Sequence, residues 1–147
     1  MKKLILASIV FSIGNLLFSQ SGSLYFQDGT SIKFTKIQAS IMWDRNGVGG
    51  AVDGTYVEYQ NSIQVVPWDK ISSFEIVSCI PKSFDFPTPH PKATIRCITK
   101  TGITTSAVVY FDAINVYRMN ELTGELAIQI YKVVVADKLN LKQIIMD

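Results

Sequence analysis

From residue 22 onward, apolar and polar positions alternate with a period of two over short stretches separated by Gly and Asx pairs, the pattern of strands joined by tight turns. Leu24-Tyr25-Phe26-Gln27 and Thr30-Ser31-Ile32-Lys33-Phe34 flank Asp28-Gly29, which suits the positive φ of a type I′ turn and predicts a hairpin. Tyr56 to Gln60 and Ile63 to Val66 flank Asn61-Ser62 and predict a second. Between them the Gly-rich and Asx-rich stretch from Trp43 to Gly54 predicts a long, mobile connection. Val, Ile and Thr outnumber Leu and Ala about three to one over the same residues, and branched side chains fit a pleated surface better than a helix.

The scheme recurs further along. Ala93 to Thr99, the turn Thr101-Gly102 and Thr104 to Tyr110 predict one strand pair. Ile114 to Arg118 and Glu125 to Tyr131, flanking Glu121-Leu122-Thr123-Gly124, predict another. Each half closes on a similar phrase: Val65-Val66-Pro67-Trp68-Asp69-Lys70-Ile71 before Phe74-Glu75-Ile76, and Val134-Val135-Ala136-Asp137-Lys138-Leu139 before Ile144-Ile145-Met146. A turn-Gly hairpin, two further strands, a short Asp-Lys-Ile or Asp-Lys-Leu turn and a last strand together resemble the Sm-like small β-barrels. The resemblance covers residues 23–78 and 93–146. It implies architecture alone: Sm-like proteins bind RNA through two short signatures, neither is present here, and no functional residue carries over.

The expected fold is all-β. It is either two small five-stranded barrel-like halves packed together or a single β-sandwich or barrel. The expected organisation is a signal peptide at 1–21, a first half at 22–80, a Pro-rich linker at 81–92 and a second half at 93–147. Two helices compete with strands in this scheme. Asp112 and Gly124 would punctuate one at 113–122, and the spacing of Ala136, Leu139, Gln143 and Ile144 allows another at 136–146.

The first residues have a different character. Met1-Lys2-Lys3, an apolar run from Leu4 to Phe18 and the small polar Ser19-Gln20-Ser21 follow the order of a secretory signal peptide, cleaved after Ser19 or Ser21. Fifteen apolar residues would span about 22 Å as a helix, short of the ~30 Å hydrocarbon core. The formal charge of +2 rests on 14 Lys+Arg against 12 Asp+Glu, so removing Lys2 and Lys3 leaves a neutral chain. That balance excludes a polybasic nucleic-acid arm, an acidic tail and charge-driven disorder. Export to the periplasm or the extracellular space implies an oxidising compartment, which predicts a disulfide between Cys79 and Cys97, the two cysteines of the chain.

The residues offer little catalytic chemistry. The single histidine, His90, lies in Thr88-Pro89-His90-Pro91, where prolines favour an extended, solvated loop ill-suited to hold an imidazole against a buried acid. One His and two paired Cys leave a zinc site without enough ligands. Asp44, Asn46 and Asp53 carry calcium-type oxygens in the Gly-rich loop, but Gly47 is misplaced for an EF-hand turn and no Glu closes the run. That loop also lacks the Gly-Lys-Ser/Thr ending of a phosphate cradle. Glu58 and Glu75, on candidate outward faces, remain as paired carboxylates for a hydrolase. Trp43, Trp68, Tyr56 and Tyr59, with Phe84 and Phe86 nearby, are the candidate aromatic surface for a peptide, glycan or lipid chain.

The sequence therefore points to a secreted or periplasmic, non-catalytic binding or structural protein of the cell envelope that acts on another protein. It implies no cofactor, no metal, no nucleic-acid partner and no membrane span after processing, and it is compatible with a homo-oligomer. The alternatives are a binder of a small apolar ligand or glycan in a barrel pocket and a hydrolase using paired carboxylates.

Overall fold

Strict alternation survives in the structure wherever a strand has one buried face. In β8 (His90–Thr99), Pro91, Ala93, Ile95 and Cys97 are buried, while Lys92, Thr94 and Arg96 point the other way. The computed structural model describes residues 20–83, 90–119, 126–127, 134–135 and 138–147. Its remaining strands are β1 (Gly22–Phe26), β2 (Ser31–Phe34), β3 (Lys36–Asp44), β4 (Gly49–Val52), β5 (Gly54–Tyr59), β6 (Ser62–Pro67), β7 (Ile71–Ser83), β9 (Thr104–Met119), β10 (Leu126–Ala127), β11 (Val134–Val135), β12 (Lys138–Leu139) and β13 (Leu141–Met146). One turn of 3₁₀-helix at Trp68–Lys70 joins β6 to β7, at the Asp69-Lys70-Ile71 phrase where the sequence suggests it. The chain is all-β, as expected.

Pairing is antiparallel throughout, in the order β2-β1-β13-β7-β8-β9-β3-β4. β2 and β3 are one run of chain bent at Thr35, whose backbone N–H donates to the Tyr117 carbonyl at 2.8 Å. Because β2 pairs with β1 and β3 pairs with β9, this bent run closes the sheet on itself as a six-stave barrel. β9 is the longest stave. Its first half pairs with β8, its second half with β3, Ser106 with Glu58 of β5, and its end with β10. The β5–β6 hairpin projects from this seam.

The barrel is filled by side chains from every stave. Leu24, Ile37, Met42, Phe74, Ile95, Phe111, Ile114, Leu141 and Ile144 are fully buried and belong to one cluster with Trp68. Each such side chain contributes roughly 1.5–3 kcal/mol relative to exposure. Residues 22–80 and 93–147 thus share one sheet and one core, β1 pairing with β13 and β3 with β9, instead of filling two interiors. The expected linker at 81–92 is in part strand: 81–83 end β7 and 90–92 begin β8, with Ser83 opposite His90. Residues 84–89 lie outside the described set.

Other local expectations shift as well. The expected long connection at 43–54 is a hairpin, with β4 paired to Ser40–Trp43 of β3 and only residues 45–48 in the loop. Residues 113–119 belong to β9 and 141–146 to β13, so strand prevails over helix wherever those two segments are described. Residues 1–19 of the expected signal peptide at 1–21, Phe84 and Phe86, residues 120–125, 128–133 and Ala136-Asp137 lie outside the described residues, while Gln20 and Ser21 are described, their carbonyls accepting from Ile37 and Asp147.

The expected Cys79–Cys97 disulfide is absent; both thiols are free. Register gives the reason. Cys97 stands opposite Phe74 and Cys79 opposite Ala93, so the two are four residues out of step on adjacent strands, about 13 Å along the pleat, far beyond bridging distance.

Candidate interaction site

The four aromatic candidates are dispersed. Trp68 is 0% exposed and meets Phe74 edge-on at 5.7 Å, so it plugs the barrel. Tyr56 is also buried, and burial, followed by the nearby Asp44 charge, pushes its hydroxyl pKa up. Tyr59 is 52% exposed at the tip of the β5–β6 hairpin. Trp43 is half-buried on the barrel's outer face and stacks on His90, ring centroids 4.5 Å apart. His90 is therefore a strand residue packed on an indole rather than a solvated loop imidazole. Tyr110 stands in register with both Trp43 and Lys92, and the Lys92 ammonium lies 5.8 Å from the Tyr110 ring centroid.

The acidic candidates are engaged. Glu58, Ser106, Arg96 and Glu75 form one outward row across β5, β9, β8 and β7. The two glutamates are three strand spacings apart, about 14 Å, against the ~5–9.5 Å that glycoside hydrolysis uses. Each also holds an arginine: Arg45 Nε is 2.9 Å from Glu58, and Arg96 donates to Glu75. Asp44 caps its own loop, accepting the N–H groups of Asn46 at 2.8 Å and Val48 at 3.0 Å, while Asp53 sits exposed at the turn between β4 and β5. Among the described residues no group of three or more His, Cys, Asp or Glu is placed to hold a metal ion. The thiols are also quiescent, with burial raising the Cys79 pKa and pushing that of Cys97 up to about 11.

One depression of about 320 Å³ lies beside the first hairpin, lined by Phe26, Gln27, Asp28, Thr30 and Asn140. It is open to solvent, and its one acid is occupied: Asp28 accepts from the Thr30 hydroxyl and backbone N–H, which hold its pKa below the usual value.

The β5–β6 hairpin has the most distinctive chemistry. Gln60 and Asn61 both have positive φ, 50° and 62°, the signature of a two-residue type I′ turn, so the turn lies one residue earlier than the Asn61-Ser62 pair suggested. A turn of this type makes Tyr59 and Ser62 a hydrogen-bonded pair. Alternation then directs the backbone groups of Ser62, Gln64 and Val66 at β5, and those of Ile63 and Val65 outward. Pro67 has no N–H to offer.

The hairpin is fixed on both faces. Val57 and Val66 pack on the core; Arg45 reaches Glu58 on the other face, where a Cβ at Gly49 would stand 3.0 Å from the Tyr56 hydroxyl. At the base, the Ser40 hydroxyl lies 2.6 Å from the Gly54 carbonyl and 3.0 Å from that of Val52. Among the described residues, no strand pairs with the outer side of β6.

Its sequence, Ser62-Ile63-Gln64-Val65-Val66-Pro67, carries no charge, and Val65 is 47% exposed. Edge strands are ordinarily protected by charged side chains, bulges or proline, and β6 has proline only at its end. Two signals of this edge were present in the sequence, an uncharged strand and a proline that a central strand would not tolerate.

Searches of protein-family models, curated proteins and solved structures found no match to the chain.

Proposed function

We propose that the chain is an exported, non-catalytic binding or structural protein of the cell envelope, and that it acts by taking an extended segment of another polypeptide onto the outer edge of β6. The observation that carries this reading is a regular, uncharged edge strand whose outward N–H and C=O groups at Ile63 and Val65 meet no other strand among the described residues. The rigid mounting supports it: a hairpin already fixed on both faces loses little entropy when a strand is added. Packing of the barrel interior and the engagement of Glu58 and Glu75 favour binding over either a lumenal ligand or paired-carboxylate hydrolysis. Export rests on the Lys-Lys, apolar, Ser-Gln-Ser order of the first residues.

A display library of seven-residue segments, selected on the protein and counter-selected on Val65→Lys, tests the edge. Peptides with alternating apolar residues are expected to be enriched and to lose at least tenfold in affinity on the variant. Clones that bind both forms equally would refute it. N-terminal sequencing tests export, with Gln20 or Gly22 expected first and an intact Met1 on the envelope-fraction protein refuting it.

A further inference from the structure

We infer that the polypeptide taken by β6 is a second copy of the same chain, paired antiparallel about a two-fold axis through Gln64; this rests on the edge reading above. Hydrogen bonding selects the register. The outward-facing residues of β6 that retain both N–H and C=O are Ile63 and Val65, so two copies satisfy the most groups when Ile63 meets Val65 of the partner and Val65 meets Ile63. That register forms four backbone hydrogen bonds. It places Gln64 opposite Gln64 as a non-hydrogen-bonded pair and Ser62 opposite Val66.

Three further features favour a copy over a foreign strand. The edge is short and bounded, by the Gln60–Asn61 turn at one end and by Pro67 at the other, and β6 is itself a strand of that length. Its two hydrogen-bonded pairs in this register set Ile63 against Val65, branched aliphatics that suit adjacent strands. No residue of β6 is charged, so like meets like without repulsion, whereas any charged row of the surface, such as Glu58-Arg96-Glu75, would oppose itself poorly about a two-fold.

The contact is small. A pair of six-residue strands falls below the roughly 1,200 Å² of a standard stable interface, which places the dimer in the weak, concentration-dependent class. The dimer would form at high local concentration, extending the sheet of one barrel into the next.

Cysteine cross-linking reads the register directly. In the protein as purified from its host, Gln64→Cys places two thiols on Cα atoms about 4.5 Å apart, within disulfide range, while Ser62→Cys pairs with Val66 and has no thiol opposite. Under mild oxidation Gln64→Cys is expected to yield covalent dimer at least tenfold faster than Ser62→Cys or the unaltered chain. In sedimentation equilibrium, Val65→Lys is expected to weaken the unaltered chain's dimer at least tenfold. Equal cross-linking of the two cysteine variants, or a unaltered chain that stays monomeric to millimolar concentration, overturns the inference.

A further measurement separates the two proposals. Hydrogen exchange at Ile63 and Val65 is followed with an added Thr-Val-Thr-Val-Thr peptide. Protection by the peptide in a monomeric protein leaves the edge reading standing and removes the second copy; no protection by peptide or by concentration removes both.

Discussion

Trp68 sets two opposing effects against each other, and their sizes predict the outcome of replacing it. Its side chain is fully buried against Phe74, and its indole N–H has no hydrogen-bond partner among the described residues. Trp68→Phe removes roughly 40 Å³ of side chain, which at ~24 cal/mol per Å³ is about 1 kcal/mol of destabilisation. It also removes an orphaned buried donor, whose desolvation costs about 1–3 kcal/mol. The expected net change therefore lies between zero and about 2 kcal/mol of stabilisation, whereas Trp68→Ala, which leaves the whole cavity, should cost about 3–5 kcal/mol. Urea unfolding followed by far-UV circular dichroism measures both, and the remaining Trp43 supplies an independent fluorescence probe of two-state behaviour. A loss above about 2 kcal/mol for Trp68→Phe, with an unchanged m-value, would show that the N–H has a partner, such as an internal water, and would refute the reasoning.

Four further outcomes follow from other parts of the barrel. Gly54→Ala should be far more damaging than Gly29→Ala, because a Cβ at Gly54 would lie 2.1 Å from the Val66 carbonyl oxygen while one at Gly29 meets nothing within 4 Å; chemical denaturation should give about 1 kcal/mol for Gly29, a turn residue at φ 87°, and several times that, or no folded protein, for Gly54. Both thiols should be free by intact mass of the non-reduced protein, with Cys79 alkylated well before Cys97 in the native state. Raising the Cys97 pKa from 9 to about 11 means that the unfolded chain releases this proton first, so stability is complete below pH 9 and falls as pH rises through 11; Cys97→Ala should flatten that part of the pH profile, and an unchanged profile would count against burial of the thiol. A double-mutant cycle on Glu75 and Arg96 should give a coupling of less than about 1 kcal/mol, because the pair faces solvent.

The fold was legible where local chemistry determines it. Asp28-Gly29 lies in a turn as expected, though not of type I′, since Gly29 has φ 87° while Asp28 is not at positive φ and the Gly29 N–H donates to the Phe26 carbonyl at 3.1 Å; Trp68–Lys70 makes its single 3₁₀ turn. What local pattern could not supply was pairing between distant strands. The repeated phrases suggested two interiors, yet whether β1 closes against β6 or against β13 depends on edges that no single strand specifies. The disulfide expectation failed for the same reason: proximity of Cys79 and Cys97 depended on register, and register placed them four residues apart. At the candidate site, aromatic content favoured Trp43, Trp68, Tyr56 and Tyr59, but side-chain type does not separate a plug from a surface patch. The β6 edge rests on backbone groups, which every sequence contains.

The closure of β1 against β13 has a kinetic consequence. Asp147 donates its N–H to the Ser21 carbonyl at 3.0 Å and accepts from the Ser21 hydroxyl, a contact between residues 126 apart in sequence. Since β13 sits between β1 and β7, the ring stays open by one stave until the chain is synthesised through Met146. Relative contact order is accordingly high, and loop closure must precede most of its rewards, which places folding toward the slow, millisecond-to-second end. Until that last stave is made, the facing edges of β1 and β7 have no strand between them, so their backbone groups stay unpaired through most of synthesis.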